Sequence, residues 1–111
     1  MKVTITKQVE QQTEVNIELP YYGVFKAKHD IDYYIAALSE ERYVTVTDLK
    51  IVTSPVYIIQ NGNNTENQFG GKDYTQITTA EFLQMYAKAS KNIEDELNKV
   101  IDASNLLTNI I

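Results

Sequence analysis

The stretch that most constrains this chain is its last third, residues 78–111, which reads as one long amphipathic helix. Apolar side chains recur at Phe82, Tyr86, Ala89, Ile93, Leu97, Val100, Leu107 and Ile111, with Ser104 filling the missing step. The spacing averages about 3.6 residues, the period of a straight helix, and so favours a straight stripe over a supercoiled heptad seam. Its far end widens with Ile101, Leu106 and Ile110. The start is marked twice. Thr78 and Glu81 can form a capping box, and Ile77 and Phe82 sit where a hydrophobic staple needs them. Such a helix must lay its apolar face on something, and the residues before it read as strands in need of a cover.

Val3, Ile5, Val9, Val15, Ile17 and Leu19 are all odd-numbered, so one alternation phase runs from residue 3 to residue 19. The simplest reading is two strands, 2–9 and 13–19, joined at Glu10-Gln11-Gln12; one long bent strand is the alternative, because no Gly, Pro or Asn marks the joint. Leu19-Pro20-Tyr21-Tyr22 reads as a type I turn with proline at its second position, followed by a short strand over 24–28. Residues 32–38 lean to strand, and residues 43–53 are rich in the β-branched types that fit a pleated surface. The phase of the latter changes between Val46 and Leu49, which a bulge at Thr47-Asp48 would explain. Residues 56–60 are apolar on both faces, as in a central or helix-covered strand.

Residues 61–76 hold Asn61-Gly62, Asn63-Asn64, Asn67 and Gly70-Gly71 and read as one long loop, of the kind that is often functional or mobile. The expected molecule is therefore a single α+β domain over 1–111. It has a β-rich part to residue 60, a loop at 61–77 and the C-terminal helix at 78–111. Its antiparallel sheet has five to seven strands and is strongly curved in one version.

Composition narrows the functional classes. The chain of 111 residues carries a net charge of −5 and one arginine, Arg42, which argues against direct binding to a nucleic-acid backbone. It has no cysteine, so disulfides and thiolate metal sites are excluded. Residues 1–8 alternate rather than forming the apolar run of a signal peptide, and no stretch approaches the roughly 20 apolar residues of a membrane span.

Candidates for chemistry are few. His29-Asp30-Ile31-Asp32 places an imidazole and two carboxylates within four residues, but a metal site needs further ligands at set spacing, and there is no second histidine. Gly70-Gly71-Lys72 fails the phosphate-loop pattern at both ends, at Glu66 and Asp73. Asn63-Asn64-Thr65 fits a glycosylation acceptor, and no serine sits in a nucleophile elbow. No cofactor motif is present, so an enzyme is the least supported class. The adjacent pairs Tyr21-Tyr22 and Tyr33-Tyr34 should each turn one ring outward, where tyrosine suits an interface. Glu94-Asp95-Glu96 and Glu40-Glu41 make acidic spots, and Asp95 with Lys99 reads as an i,i+4 pair.

The run Glu14-Val15-Asn16-Ile17-Glu18-Leu19-Pro20-Tyr21-Tyr22, after a first strand rich in Lys, Thr and Val, resembles the opening of short proteins encoded by tailed phages of gut bacteria. A Thr-x-x-Glu-Phe helix start, here Thr78 to Phe82, belongs to the same likeness. The resemblance implies a small phage accessory or virion-associated protein, placed in the host cytoplasm or the virion, and it transfers no catalytic residue.

Three functions are expected from these residues. The first is a non-enzymatic assembly protein that self-associates through Ile93, Leu97, Val100, Ile101, Leu106, Leu107 and Ile110 of the helix. The second is a small-molecule or sugar-binding module using Asn61, Asn63, Asn64, Lys72 and Tyr74 of the loop. The third is an acidic inhibitor of a nucleic-acid-handling host defence protein. The geometric argument favours the first: a helix from 79 to about 107 is roughly 43 Å long, longer than a compact domain of this size is wide. It must therefore overhang or break, and Ser90 and Asn92 are the places where a break would fall.

Overall fold

The computed structural model describes residues 1–7, 11–27, 30–50, 55–70 and 72–110, with backbone alone for residues 6–7, 11–13 and 105–110. The strands are β1 (Lys2–Lys7), β2 (Gln11–Asn16), β3 (Tyr21–Lys26), β4 (Asp32–Ser39), β5 (Arg42–Asp48), β6 (Tyr57–Gly62) and β7 (Thr75–Gln76). A short helix α1 (Thr65–Phe69) lies between β6 and β7, and α2 (Thr79–Ile110) ends the chain. The class is α+β, as the two periodicities require.

The single alternation phase at the N-terminus folds as two strands. β1 and β2 form an antiparallel ribbon in which Val3 faces Val15 and Ile5 faces Thr13. This ribbon is a sheet of its own. The other five strands form an antiparallel sheet in the order β6-β5-β4-β3-β7.

The ribbon and α2 sit on opposite faces of that five-stranded sheet. Odd-numbered Tyr21, Ile35 and Ala37 meet Val3, Ile5, Phe69 and Tyr74 on one face. Even-numbered Ala36 and Val46, with Tyr57 from the next strand, meet Phe82 and Ala89 of α2 on the other. A strand presents alternate residues to its two faces, so a sheet covered on both sides needs apolar residues in both phases. That explains the tyrosine pairs. The sequence suggests one ring of each pair turned outward; instead Tyr21 and Tyr33 pack with the ribbon-side core, and Tyr22 and Tyr34 with the helix-side core.

Other local expectations shift for equally physical reasons. Tyr21 and Tyr22 begin β3 rather than closing a turn. The pairing of β5 with β4 is regular through Thr47 and Asp48, and the irregularity lies on β4 between Ala37 and Ser39. The phase change between Val46 and Leu49 is therefore not a bulge, and Asp48 enters a buried polar contact described below. Residues 51–54, the end expected for that strand, lie outside the described residues. β6 is an edge strand, and Tyr57 and Ile59 on its inner face pack with the helix-side core.

α2 is one unbroken helix of 32 residues, about 48 Å long, through Ser90 and Asn92. Its cap forms as the sequence implies, with the Glu81 amide donating to the Thr78 hydroxyl at 3.1 Å. The reciprocal contact differs in detail: the Glu81 carboxylate accepts from the Thr78 hydroxyl at 3.2 Å rather than from its amide. Thr78→Ala removes both contacts and is expected to lower stability by about 1 kcal/mol, read as a drop in urea midpoint at unchanged slope. An unchanged midpoint would place the functional start of the helix elsewhere.

The helix runs past the sheet. From Glu94 to Ser104 every described side chain is exposed. The Cα radius of gyration is 17.3 Å and the longest axis 60 Å, against about 13 Å expected for the radius of a compact domain of this size.

Candidate functional site

Three regions can be weighed as sites. The first is a polar corner where the ends of β4, β5 and β6 meet. Asp32 faces Asp48 across the β4–β5 ladder, and Tyr57 faces Asp48 across the next. Both carboxylates are buried. Lys50, held at a positive φ of 48°, puts its ammonium 2.9 Å from Asp32, while its amide donates to Asp48 at 2.9 Å. The hydrogen bond to Asp32 raises the affinity of the Lys50 amine for its proton. Burial, then the charge of Asp32, pushes the Tyr34 phenol up. This is an ion-paired closure of the sheet end, where each carboxylate accepts from Lys50.

Of the metal candidates at 29–32, His29 lies outside the described residues, and Asp32 is committed to Lys50. Sequence reasoning missed Asp48 and Lys50. The available signal was an acid ending a β-branched strand, two residues from a lysine.

The second region is 61–76, which the sequence presents as an irregular loop. It is largely built structure. Asn61 and Gly62 extend β6 and pair with Val44 and Tyr43. Asn64 caps α1 by accepting from the Asn67 amide at 3.3 Å. Thr65 is fully buried: its hydroxyl donates to the Ser39 carbonyl, and its amide to the Glu40 carbonyl at 3.2 Å. Phe69 packs edge-on to Tyr21 and Tyr74 in the ribbon-side core. Tyr74 is itself core, and burial pushes its phenol far above the usual range. The Lys72 ammonium lies over the Tyr33 ring, 5.3 Å from its centroid.

The five proposed ligand residues therefore do not converge. Asn61 and Asn63 border a shallow surface depression with Glu41 and Arg42, which neither Lys72 nor Tyr74 lines. The missed helix is short, five residues, so no helical period could reveal it. Asn64 before Glu66 and glycine after Phe69 were its local signals.

The third region is the outward face of α2. The straight stripe read from the sequence divides in two. Phe82, Met85 and Ala89 turn onto the sheet, while Tyr86 remains 38% exposed. The residues left to solvent are Leu83 (56%), Tyr86, Ile93 (40%), Leu97 (56%), Val100 (62%) and Ile101 (45%). With half-buried Ser90 and exposed Ser104, all of these but Ile101 run 83, 86, 90, 93, 97, 100, 104. The steps alternate three and four, which is a heptad with Leu83, Ser90, Leu97 and Ser104 at a, and Tyr86, Ile93 and Val100 at d. The period of about 3.6 thus averages a sheet-facing set and a heptad set.

Four of the seven expected interface residues, Ile93, Leu97, Val100 and Ile101, lie on this free face. The side chains of Leu106, Leu107 and Ile110 lie outside the described ones. At its N-terminal end the face opens into a groove between α2 and the sheet, lined by Tyr22, Ala36, Leu38, Val44, Phe82, Leu83 and Tyr86. Lys99 pairs with Glu96 at 3.0 Å, not with Asp95 as the spacing suggests. Among the described residues no helix is long and apolar enough to cross a membrane. No protein-family model, curated protein or solved structure matches the chain, so its surfaces carry the functional reading by themselves.

Proposed function

We infer that this chain is a non-enzymatic assembly protein that self-associates through the free face of α2. One observation carries the reading: an unbroken helix overhangs its own domain and presents Ile93, Leu97, Val100 and Ile101 bare along one side. Contiguous apolar surface of that kind marks an association site. A second copy supplies an identical, self-complementary face, the simplest way to cover it in a closed assembly. The ion-paired state of Asp32 and Lys50 also favours a structural over a catalytic role for the polar corner. A phage accessory or virion-associated setting, implied by the resemblance of residues 14–22, belongs to the same proposal.

The test is the double change Leu97→Lys and Ile101→Lys, followed by size-exclusion chromatography with light scattering. Each buried Leu or Ile contributes about 1.5–3 kcal/mol, and the change strikes every copy in the assembly. The wild-type chain is expected to elute as a defined oligomer, and the variant as a single chain with its helical circular dichroism retained. A monomeric wild type, or a variant of unchanged size, would overturn the reading.

A further inference from the structure

We propose that β6 pairs with β6 of a second copy, antiparallel and centred on Ile59, so that one sheet runs through both copies and each α2 lies across the sheet of the other. This rests on the self-association reading and adds its geometry.

The edge of β6 is open and suits its own copy. The Leu49 amide donates to the Val56 carbonyl at 3.2 Å. Bonded pairs alternate along an antiparallel ladder, so Ile58, Gln60 and Gly62 turn their backbone groups toward β5. Tyr57, Ile59 and Asn61 turn theirs outward, and no other described backbone group bonds to them. Such an edge is a template for another strand unless charge or proline blocks it, and β6 carries neither. A reversed copy of the same strand sets 57 against 61, 59 against 59 and 61 against 57, which satisfies all three residues.

The course of α2 selects the same edge. Phe82 meets Tyr22 of β3, Met85 and Lys88 lie beside Tyr34 of β4, and Asn92, Ile93 and Glu96 lie beside Tyr57 of β6. The helix therefore crosses the strands one after another and leaves the sheet over β6. Its exposed stretch from Glu94 to Ser104 is about 15 Å long, or about three strand spacings. A single added strand would cover one of them. The second copy supplies β6, β5 and β4 in succession.

The free face of the helix points the right way. Leu83 and Tyr86 border the groove with Leu38 and Val44. Val44 pairs with Asn61, so that face looks toward the C-terminal end of β6. An axis at Ile59 puts the second α2 on that side. At about three helix residues per strand, its Val100 and Ile101 reach the groove, where Leu38 is 42% exposed in the single chain. Spacing also sets the register. Each helix passes over Tyr57, two residues from the axis, so the two run about 13 Å apart, and a modest tilt brings them to the 8–10 Å of packed helices. Centring the strands on residue 58 would leave about 7 Å, too close for two helices; residue 60 would leave about 20 Å, out of contact.

The absence of cysteine makes the test direct. Ile58 and Gln60 are exposed on the sheet face away from α2. In this register Ile58 faces Gln60 of the second copy, about 4.5 Å between Cα atoms and within disulfide reach, while two copies of either position lie about 8 Å apart. Ile58→Cys and Gln60→Cys chains refolded together are expected to give a disulfide-linked dimer under mild oxidation, and neither variant alone. Linking of one variant by itself would show another register and overturn the proposal. So would a mixture that stays unlinked while light scattering finds it dimeric, or a particle larger than a dimer. A monomeric wild type would instead fail the self-association reading itself. The pair also brings Glu94, Asp95 and Glu96 of both copies near the axis, a like-charge cost that salt screens. The dimer is therefore expected to tighten as ionic strength rises, and loosening would overturn the arrangement.

Discussion

Phe69→Ala is expected to remove about 3–5 kcal/mol of unfolding free energy, a large share of the 5–15 kcal/mol typical of a domain. Phe69 is 1% exposed, and its ring meets Tyr21 at 5.6 Å and Tyr74 at 5.3 Å between centroids. It joins α1 to the ribbon-side core that also holds Val3, Ile5 and Ile35. Removing the ring leaves a cavity among residues from elements distant in sequence, so collapse around it is restricted. Urea unfolding at fixed chain concentration measures the loss; fixing the concentration matters because assembly adds to apparent stability. A cost below about 1 kcal/mol, the size of a surface change, would mean that the segment after β6 is a loose loop after all.

Phe82→Ala is the matching change on the other face, with an expected cost of about 3–5 kcal/mol. Phe82 is 4% exposed, and its ring lies 5.7 Å from Tyr22 and 6.3 Å from Tyr86. It is the large side chain that holds the first turns of α2 on the sheet, beside Met85 and Ala89. Loss of this contact is expected to lower the midpoint of unfolding while the variant still assembles, because Leu97 and Ile101 are distant from it along the helix. Light scattering together with urea titration separates the two effects. A variant of normal stability that no longer assembles would show that Phe82 belongs to the intermolecular face and not to the core.

Much of the architecture is legible in the sequence alone. The odd-numbered phase of Val3, Ile5 and Val15 marks extended chain, because alternation is a property of neighbouring residues, and the ribbon is the simpler of the two readings it allows. The Thr78–Glu81 cap likewise places the start of α2, since its partners lie three residues apart. The segment at 61–76 was illegible for the converse reason. Asn, Gly and Thr dominate it locally, and what orders it is contact with residues far away: Thr65 with Ser39, and Phe69 with Tyr21. The polar corner is similar, since Asp48 and Lys50 acquire meaning only once β5 lies beside Asp32.

The helix shows where the boundary falls. Sequence alone determined that helical periodicity starts at the Thr78 cap and runs on past Ser90 and Asn92, and it left open whether the helix breaks there; the structure shows it unbroken. Tertiary structure also decided which part of the apolar surface of the helix is spent. The sheet takes Phe82, Met85 and Ala89, which leaves Leu83, Tyr86, Ile93, Leu97 and Val100 as a separate heptad face. Two apolar sets less than a quarter-turn apart on one helix blend into a single period when read along the chain. Only a surface packed against one of them can tell them apart, because burial depends on which neighbour is present and periodicity does not.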